Sequence, residues 1–223
     1  MIPIITIDGP VSSGKGTVAR LVAARLAWHL LDSGALYRVL GLHATRQGVA
    51  LDDQPALIRL AENLPVVCRE QGGDTAVVLD GEDVSADIRR EEVGEMASQV
   101  AVLQPVRDAL FARQRAFALA PGLVADGRDM GTVVFQDAPL KIYLNASAEE
   151  RARRRYAQLK EKGFDATLAT LIEDIQTRDD RDMNRDVAPL KPADDAVEID
   201  STSLSVEQVV DAILDEAARR SLV

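Results

Sequence analysis

The residues best suited to chemistry lie almost at the N-terminus, in IITIDGPVSSGKGT from Ile4 to Thr17. Gly9 and Gly14 bracket Pro10, Val11, Ser12 and Ser13, and Lys15, Gly16 and Thr17 follow. A loop of this composition lets backbone N–H groups turn inward on an anion. A helix starting at the lysine adds the positive end of its dipole, and Lys15 adds a point charge suited to the β- and γ-phosphates of a nucleotide. At ordinary residue frequencies, G-x4-G-K followed by a small residue arises by chance in only about 1% of chains this long. One position departs from the general G-x4-G-K-[ST] pattern, because Gly16 follows the lysine and the hydroxyl comes one residue later, at Thr17. The general pattern puts Mg²⁺ on that hydroxyl, so here either Thr17 or a water network must serve.

If residues 9 to 17 hold a triphosphate, the next question is what accepts its terminal group. Phosphoryl transfer asks little covalent chemistry of a protein but much positioning and charge neutralisation. Guanidinium groups suit that task, since they grip phosphate bidentately and stay charged. Arg38, Arg107 and Arg128 lie at or just beyond expected element ends, and Arg178, Arg181 and Arg185 lie together near a helix end. Arg151, Arg153, Arg154 and Arg155 fit either a mobile element closing over the donor or a solvated helix face. The run from Arg178 to Asp182 has the same two readings, while Arg128-Asp129, reached from a strand through Gly127, reads as site. Asp126 ends that strand beside the phosphate loop, where a carboxylate can hold a water bound to Mg²⁺. Asp129 and Asp182 can accept hydrogen bonds from a base amino group or sugar hydroxyls. An acceptor that is already an ionised phosphate needs no general base, and a closing lid would keep the triphosphate from water. His29 and His43 sit among apolar neighbours and read as packing or surface residues.

The elements that must position these groups follow from periodicity and breakers. Apolar strands are expected at Ile4 to Asp8, His29 to Asp32, Leu123 to Asp126, Pro139 to Leu144 and Ala196 to Asp200. Helices fall between them: one with Val18, Leu21, Val22 and Leu26 on a face, another fed by a turn at Ser33-Gly34 and running to about Gln47, then short and longer segments up to Phe117. Ser147 with Glu150 and Ser205 with Gln208 read as capping boxes, and a break is expected at Gly163. Residues 65 to 84 read as an inserted antiparallel excursion with turns at Gly72-Gly73 and Asp80-Gly81. Alternating strands and helices predict an α/β fold of three layers around a five-stranded parallel sheet, with the site at the carboxyl ends of the strands.

Composition narrows the function classes. The chain has 223 residues, 47% of them apolar, enough to bury a substantial core. A net charge of −10 and an aromatic content of 4% argue against a nucleic-acid groove. The single cysteine, Cys68, excludes an internal disulfide, and the apolar run Val66, Val67, Cys68 reads as an inert core position. The opening residues lack a basic region and no apolar run approaches about 18 residues, so a cytoplasmic protein with neither signal peptide nor membrane span is expected.

Several long, separated stretches carry a resemblance: ITIDGP with SGKGT, HLLDSGALYR, LDGEDVS followed by IR, ASQVA with PVRDAL and RQR, ADGRDMGTVVF with DAP, and TRDDRDMNRDVAPL. Together they resemble the bacterial cytidylate kinases, within the nucleoside monophosphate kinase group of P-loop proteins, over essentially the whole chain. The resemblance implies ATP at Gly9, Pro10, Val11, Ser12, Ser13, Gly14, Lys15, Gly16 and Thr17; the Mg²⁺ expected near Thr17 and Asp126, directly or through water, rests on the reading of those residues above. It implies an acceptor set of Ser33, Tyr37, Arg38, Ser98, Arg107, Arg128, Asp129, Arg178, Asp182 and Arg185. Within that set Ser98, Arg107 and Asp129 match residues recognising cytosine, Arg128 one contacting the acceptor phosphate, and Asp182 one engaging a ribose hydroxyl. Lys15, Arg128, Arg154, Arg178 and Arg185 are the expected catalytic groups. The resemblance implies one P-loop kinase domain over 1–223, with a core at about 1–32, 104–150 and 164–223, a monophosphate-binding part with the β insertion at about 33–103, and a lid at about 151–163. A monomer using small nucleotides, with no nucleic-acid or membrane partner, is expected. Kinases for UMP, AMP or a metabolite alcohol, and a P-loop regulator without an acceptor, are the rivals that an activity panel separates.

Overall fold

The structure, a computed structural model, describes residues 2–71, 74–161 and 165–223. The expected turn at Gly72-Gly73 and the break at Gly163 lie outside these residues. Two compact units form, Met1–Leu31 with Arg115–Val223, and Asp32–Gln114.

The first unit is built on strand β1 (Ile4–Asp8), which is wholly buried because it is the middle strand of its sheet. It pairs in parallel with Leu123–Gly127 on one side and Leu140–Asn145 on the other. Those strands are β6 and β7, and the five-stranded order is β2-β6-β1-β7-β8, with β2 at His29–Asp32 and β8 at Val197–Asp200. Strand alternation sends Ile5 and Ile7 to one face, where they pack with Val18, Val22, Val209, Val210 and Ile213. These partners belong to helices α1 (Lys15–Leu26) and α8 (Val206–Arg219). The buried positions of α1 are Lys15, Val18, Ala19, Val22 and Ala23, so the inward face is rotated from the expected one and Leu21 and Leu26 lie at its margin. Thr6 and Asp8 take the other face of β1, beside Gly131 and Met130. Helices α6 (Ala148–Glu161) and α7 (Leu168–Asn184) complete this unit.

The two expected capping boxes differ in the structure. Ser205 and Gln208 cap α8 reciprocally, whereas only half of the Ser147 box forms. Ser147 Oγ accepts the Glu150 N–H, but the Glu150 carboxylate is taken by Arg154 and the Ser147 N–H goes to Thr202.

In the second unit, α2 (Ser33–Arg46), α3 (Gln54–Glu62), α4 (Glu91–Val100) and α5 (Gln104–Arg115, through Gln114) surround a core that includes Leu40, Leu57, Leu79, Val100 and Leu110. Ser33 and Gly34 are the first residues of α2 and not a turn before it, because the Asp32 carboxylate accepts the Ala35 N–H and starts the helix there. The antiparallel excursion forms as expected from β3 (Val66–Gln71), β4 (Asp74–Leu79) and β5 (Glu82–Asp83). Asp80 and Gly81, with φ of 51° and 87°, make the two-residue hairpin between the last pair. Cys68 departs from the core reading. It lies exposed on β3, an edge strand, beside the half-exposed Val67. Burial around the sulfur and the Asp32 carboxylate still push the thiol pKa up, so it remains a poor nucleophile.

Candidate active site

The phosphate loop hangs between β1 and α1 and is held by contacts that its sequence does not announce. A Cβ on Gly9 would run into the carbonyl oxygen of Leu144, so only glycine lets the chain leave the sheet there. Gly14, with φ of 91°, makes the left-handed step into α1. Lys15 is buried and its Nζ donates to the Pro10 carbonyl at 3.0 Å, closing the loop across its mouth. Burial, with the nearby Arg128 guanidinium next, pulls the Lys15 pKa down to about 7. A lysine depressed by burial and by neighbouring cations is stabilised in its charged form when a polyanion arrives.

Gly16 and Thr17 are exposed at the first turn of α1. A Cβ on Gly16 would come within 3.1 Å of Asp126 Oδ2, so a side chain there would crowd that carboxylate. Thr17 and Asp126 thus offer one hydroxyl and one carboxylate near the helix start. That donor set suits Mg²⁺, which takes one or two protein oxygens and completes its shell with phosphates and water. Among the described residues no group of three His, Cys, Asp or Glu side chains could hold a metal by itself.

Past β6 the chain turns through Arg128 and Asp129 into a π-helical turn at Met130–Val134. Arg128 Nε donates to Asp182 Oδ2 at 2.9 Å, joining this turn to α7. The Arg128 pKa is raised: burial opposes the charge, but Asp182, Asp126 and Asp8 outweigh it. Asp182 is held below the usual carboxylate range, since Arg128, Arg178 and Arg185 overcome its burial. Arg178 is also close enough to lower the Lys15 pKa, and Arg185 Nε donates to Ala188 O at 2.7 Å. The first unit therefore gathers Lys15, Asp126, Arg128, Arg178, Asp182 and Arg185 into one electrostatic neighbourhood.

Helix α6 resolves the two readings of the arginine run into different roles for different residues. Arg154 Nη1 donates to Ser13 O at 3.0 Å and its Nη2 to Ser201 O at 2.6 Å. Arg151 is buried, paired bidentately with Asp179, and its Nη1 also reaches Val11 O at 3.2 Å. Arg153 is an exposed surface residue near Glu150. Two arginines of one helix thus grip carbonyls of the phosphate loop. In the sequence Arg151 is indistinguishable from its neighbours, and Asp8 is marked only by its place at the end of β1, although its carboxylate accepts the Met130 and Gly131 N–H groups.

The second unit carries its own cluster. The Arg107 guanidinium lies 6.0 Å from the Tyr37 ring centroid and donates to Ala101 O. Ser33 Oγ donates to Gln114 Oε1 at 2.7 Å, and Ser98 is buried on α4. Arg38 Nη1 donates to the carbonyls of Ile88 and Arg90, and a side chain on Gly94 would collide with its guanidinium.

This geometry describes a nucleotide-phosphate loop with abundant cations. The sequence profile of the family described as cytidylate kinase matches residues 5–219. The chain belongs to the cytidylate kinase family. A cytidylate kinase of Stutzerimonas stutzeri is 60% identical over 99% of this chain and 97% of its own length. One from Pseudomonas putida is 59% identical over 100% of this chain and 99% of its own. An uncharacterized protein of Eubacterium ventriosum superposes with a TM-score of 0.52 at 14% identity, covering 98% of this chain and 99% of that one, which reports the fold alone. The chain thus has the α/β P-loop architecture of the cytidylate kinases, and no described helix is long and apolar enough to cross a membrane.

Proposed function

We infer that the chain transfers the γ-phosphoryl group of ATP to the 5′-phosphate of CMP or dCMP, giving ADP and CDP or dCDP, a step of pyrimidine nucleotide metabolism. The observation that carries this reading is cytidylate kinase family membership over nearly the full chain. Gly9 to Thr17 take the donor phosphates, and Lys15 exchanges the Pro10 carbonyl for a phosphate oxygen. Arg128, Arg154, Arg178 and Arg185 share the charge of the transferring group, which moves in line by proximity and electrostatic stabilisation. Ser33, Tyr37, Arg38, Ser98 and Arg107 serve the acceptor together with Arg128, Asp129, Arg178, Asp182 and Arg185. A hydroxyl, a guanidinium and a carboxylate, from Ser98, Arg107 and Asp129, complement the amino, N3 and carbonyl edge of cytosine. Asp182 takes a ribose hydroxyl and the segment at about 151–163 acts as lid.

Thr17 and Asp126 would hold Mg²⁺, directly or through water, and the ion supplies neutralisation of phosphate charge when bound. We further propose a cytoplasmic monomer that uses small nucleotides and engages neither nucleic acid nor membrane. An assay of ADP release with ATP against CMP, dCMP, UMP and AMP tests the reading. CMP and dCMP should be the efficient acceptors, and Arg107→Ala and Asp129→Ala should each erode that preference. Equal turnover of UMP or AMP would overturn the acceptor assignment, and ATP binding without diphosphate product from any nucleotide would overturn the enzyme.

A further inference from the structure

The backbone just beyond β6 has to be pinned without a neighbouring strand. The β1–β6 ladder ends at Asp8 opposite Gly127, so the N–H groups of Met130 and Gly131 lie past the sheet. Asp8, the last residue of β1, supplies both missing acceptors. Its Oδ1 takes the Met130 N–H and its Oδ2 the Gly131 N–H, each at 2.8 Å. The carboxylate is buried, and its partners stand 122 and 123 positions away in sequence. The segment between is therefore an arch, fixed at Gly127 by the ladder and at residues 130 and 131 by one carboxylate. Arg128 and Asp129 are its span.

The arch has no slack. A side chain on Gly127 would meet Met130 Cγ at 2.8 Å, and one on Gly131 would meet Thr6 Oγ1 at 2.9 Å. Close packing at both ends means that the directions of Arg128 and Asp129 depend on where the two N–H groups are held. We propose that Asp8 is a positioning residue for the acceptor, clamping the Met130–Gly131 backbone so that Arg128 and Asp129 project correctly. The proposal rests on the reading of Arg128 and Asp129 as acceptor-binding groups. An uncharged side chain of the same shape is a poor substitute. The amide of asparagine accepts one N–H but sets its own NH₂ against the other.

Because burial raises the Asp8 pKa to about 7, the test is run at about pH 8.5, where the carboxylate is charged, and compares Asp8→Asn with wild type in steady-state ADP release, varying CMP and ATP separately, with Arg128→Ala as control. Loss of one charge-assisted bond to the backbone that aims Arg128 and Asp129 should raise KM for CMP about tenfold in Asp8→Asn and move KM for ATP less than about threefold. Amide exchange should accelerate at Met130 and Gly131 and stay unchanged along β1 and β6. Asp8→Glu keeps the charge but displaces it by a methylene, and should show the same split in milder form. A folded Asp8→Glu protein with wild-type kinetics overturns the proposal even if Asp8→Asn does not fold. Equal losses for both substrates in Asp8→Asn overturn it too, because they report a general structural role. If Arg128→Ala leaves KM for CMP unchanged, the acceptor reading itself fails. If Arg128→Ala raises it and Asp8→Asn does not, only the role of Asp8 falls.

Discussion

Arg151 and Asp179 form a buried bidentate pair, with Nη1–Oδ1 at 3.0 Å and Nη2–Oδ2 at 2.6 Å. Arg151 Nε also donates to Ala146 O at 2.9 Å, and Nη1 reaches Val11 O, so one side chain ties α6, α7 and the end of β7 to the phosphate loop. Asp179→Asn removes the countercharge and leaves the guanidinium buried. Breaking such a pair from one side costs about 3–5 kcal/mol, and because the amide oxygen keeps one bond we take the lower end, about 3 kcal/mol. At about 2–4 °C per kcal/mol for a chain of this size, Tm should fall by about 6–12 °C.

Arg151→Met should destabilise to a similar degree by stranding Asp179. It should also raise KM for ATP, because the Val11 carbonyl loses its donor. The double variant Arg151→Met/Asp179→Leu carries neither charge, and should recover at least half of the loss seen in either single variant. Thermal and urea unfolding followed through the single tryptophan, Trp28, measures all four proteins. An Asp179→Asn protein that loses less than about 1 kcal/mol would refute the desolvation argument. So would a double variant no more stable than the worse single one, since packing and not an uncompensated charge would then set the cost.

Two further outcomes follow from the loop. With Lys15 pulled down to about 7 by burial and by Arg128, the free protein at pH 8 holds this amine mostly neutral, and a bound triphosphate restores its proton. Calorimetry of ATP binding at pH 8, in buffers of different ionisation enthalpy, should show proton uptake that Lys15→Met abolishes; no uptake by wild type means that Lys15 does not change protonation on binding, which refutes the argument. Gly16→Ser puts a hydroxyl against Asp126 Oδ2, where even the Cβ would sit at 3.1 Å. It should lower kcat at least about tenfold by displacing that carboxylate, with Tm little changed because position 16 is exposed, and unchanged kcat would remove Asp126 from the donor site.

Much of the fold was legible because β1, the phosphate loop and α1 announce themselves by period and composition. The hairpin at Asp80-Gly81 was legible for the same reason, since the turn demands positive φ at both residues. Asp8 was not, because its partners are backbone N–H groups more than a hundred residues away, and a backbone donor leaves no mark in side-chain sequence. Arg151 was hidden differently. In a run of arginines nothing distinguishes the one that turns inward, and Asp179 is equally anonymous among the acidic residues of α7. Cys68 misled because an apolar triplet looks the same in a central strand and in an edge strand with one face open.

Strand alternation gives the two buried carboxylates different work. Ile7 is in register with Asp126, and Asp8 with Gly127. Asp126 therefore shares the face of Ile7, toward α1, and its Oδ2 stands over Gly16. Asp8 takes the opposite face and reaches the turn that carries Arg128 and Asp129. A slip of one residue in this pairing would exchange the faces, leaving the start of α1 without its carboxylate and the Met130 and Gly131 N–H groups without acceptors. The register of two parallel strands, set by the apolar packing of Ile5, Ile7 and Val124 against α1 and α8, thus decides which acid stands over the start of α1 and which holds the arch. Substitutions that loosen that packing should disturb both, and a change at either carboxylate alone should disturb one.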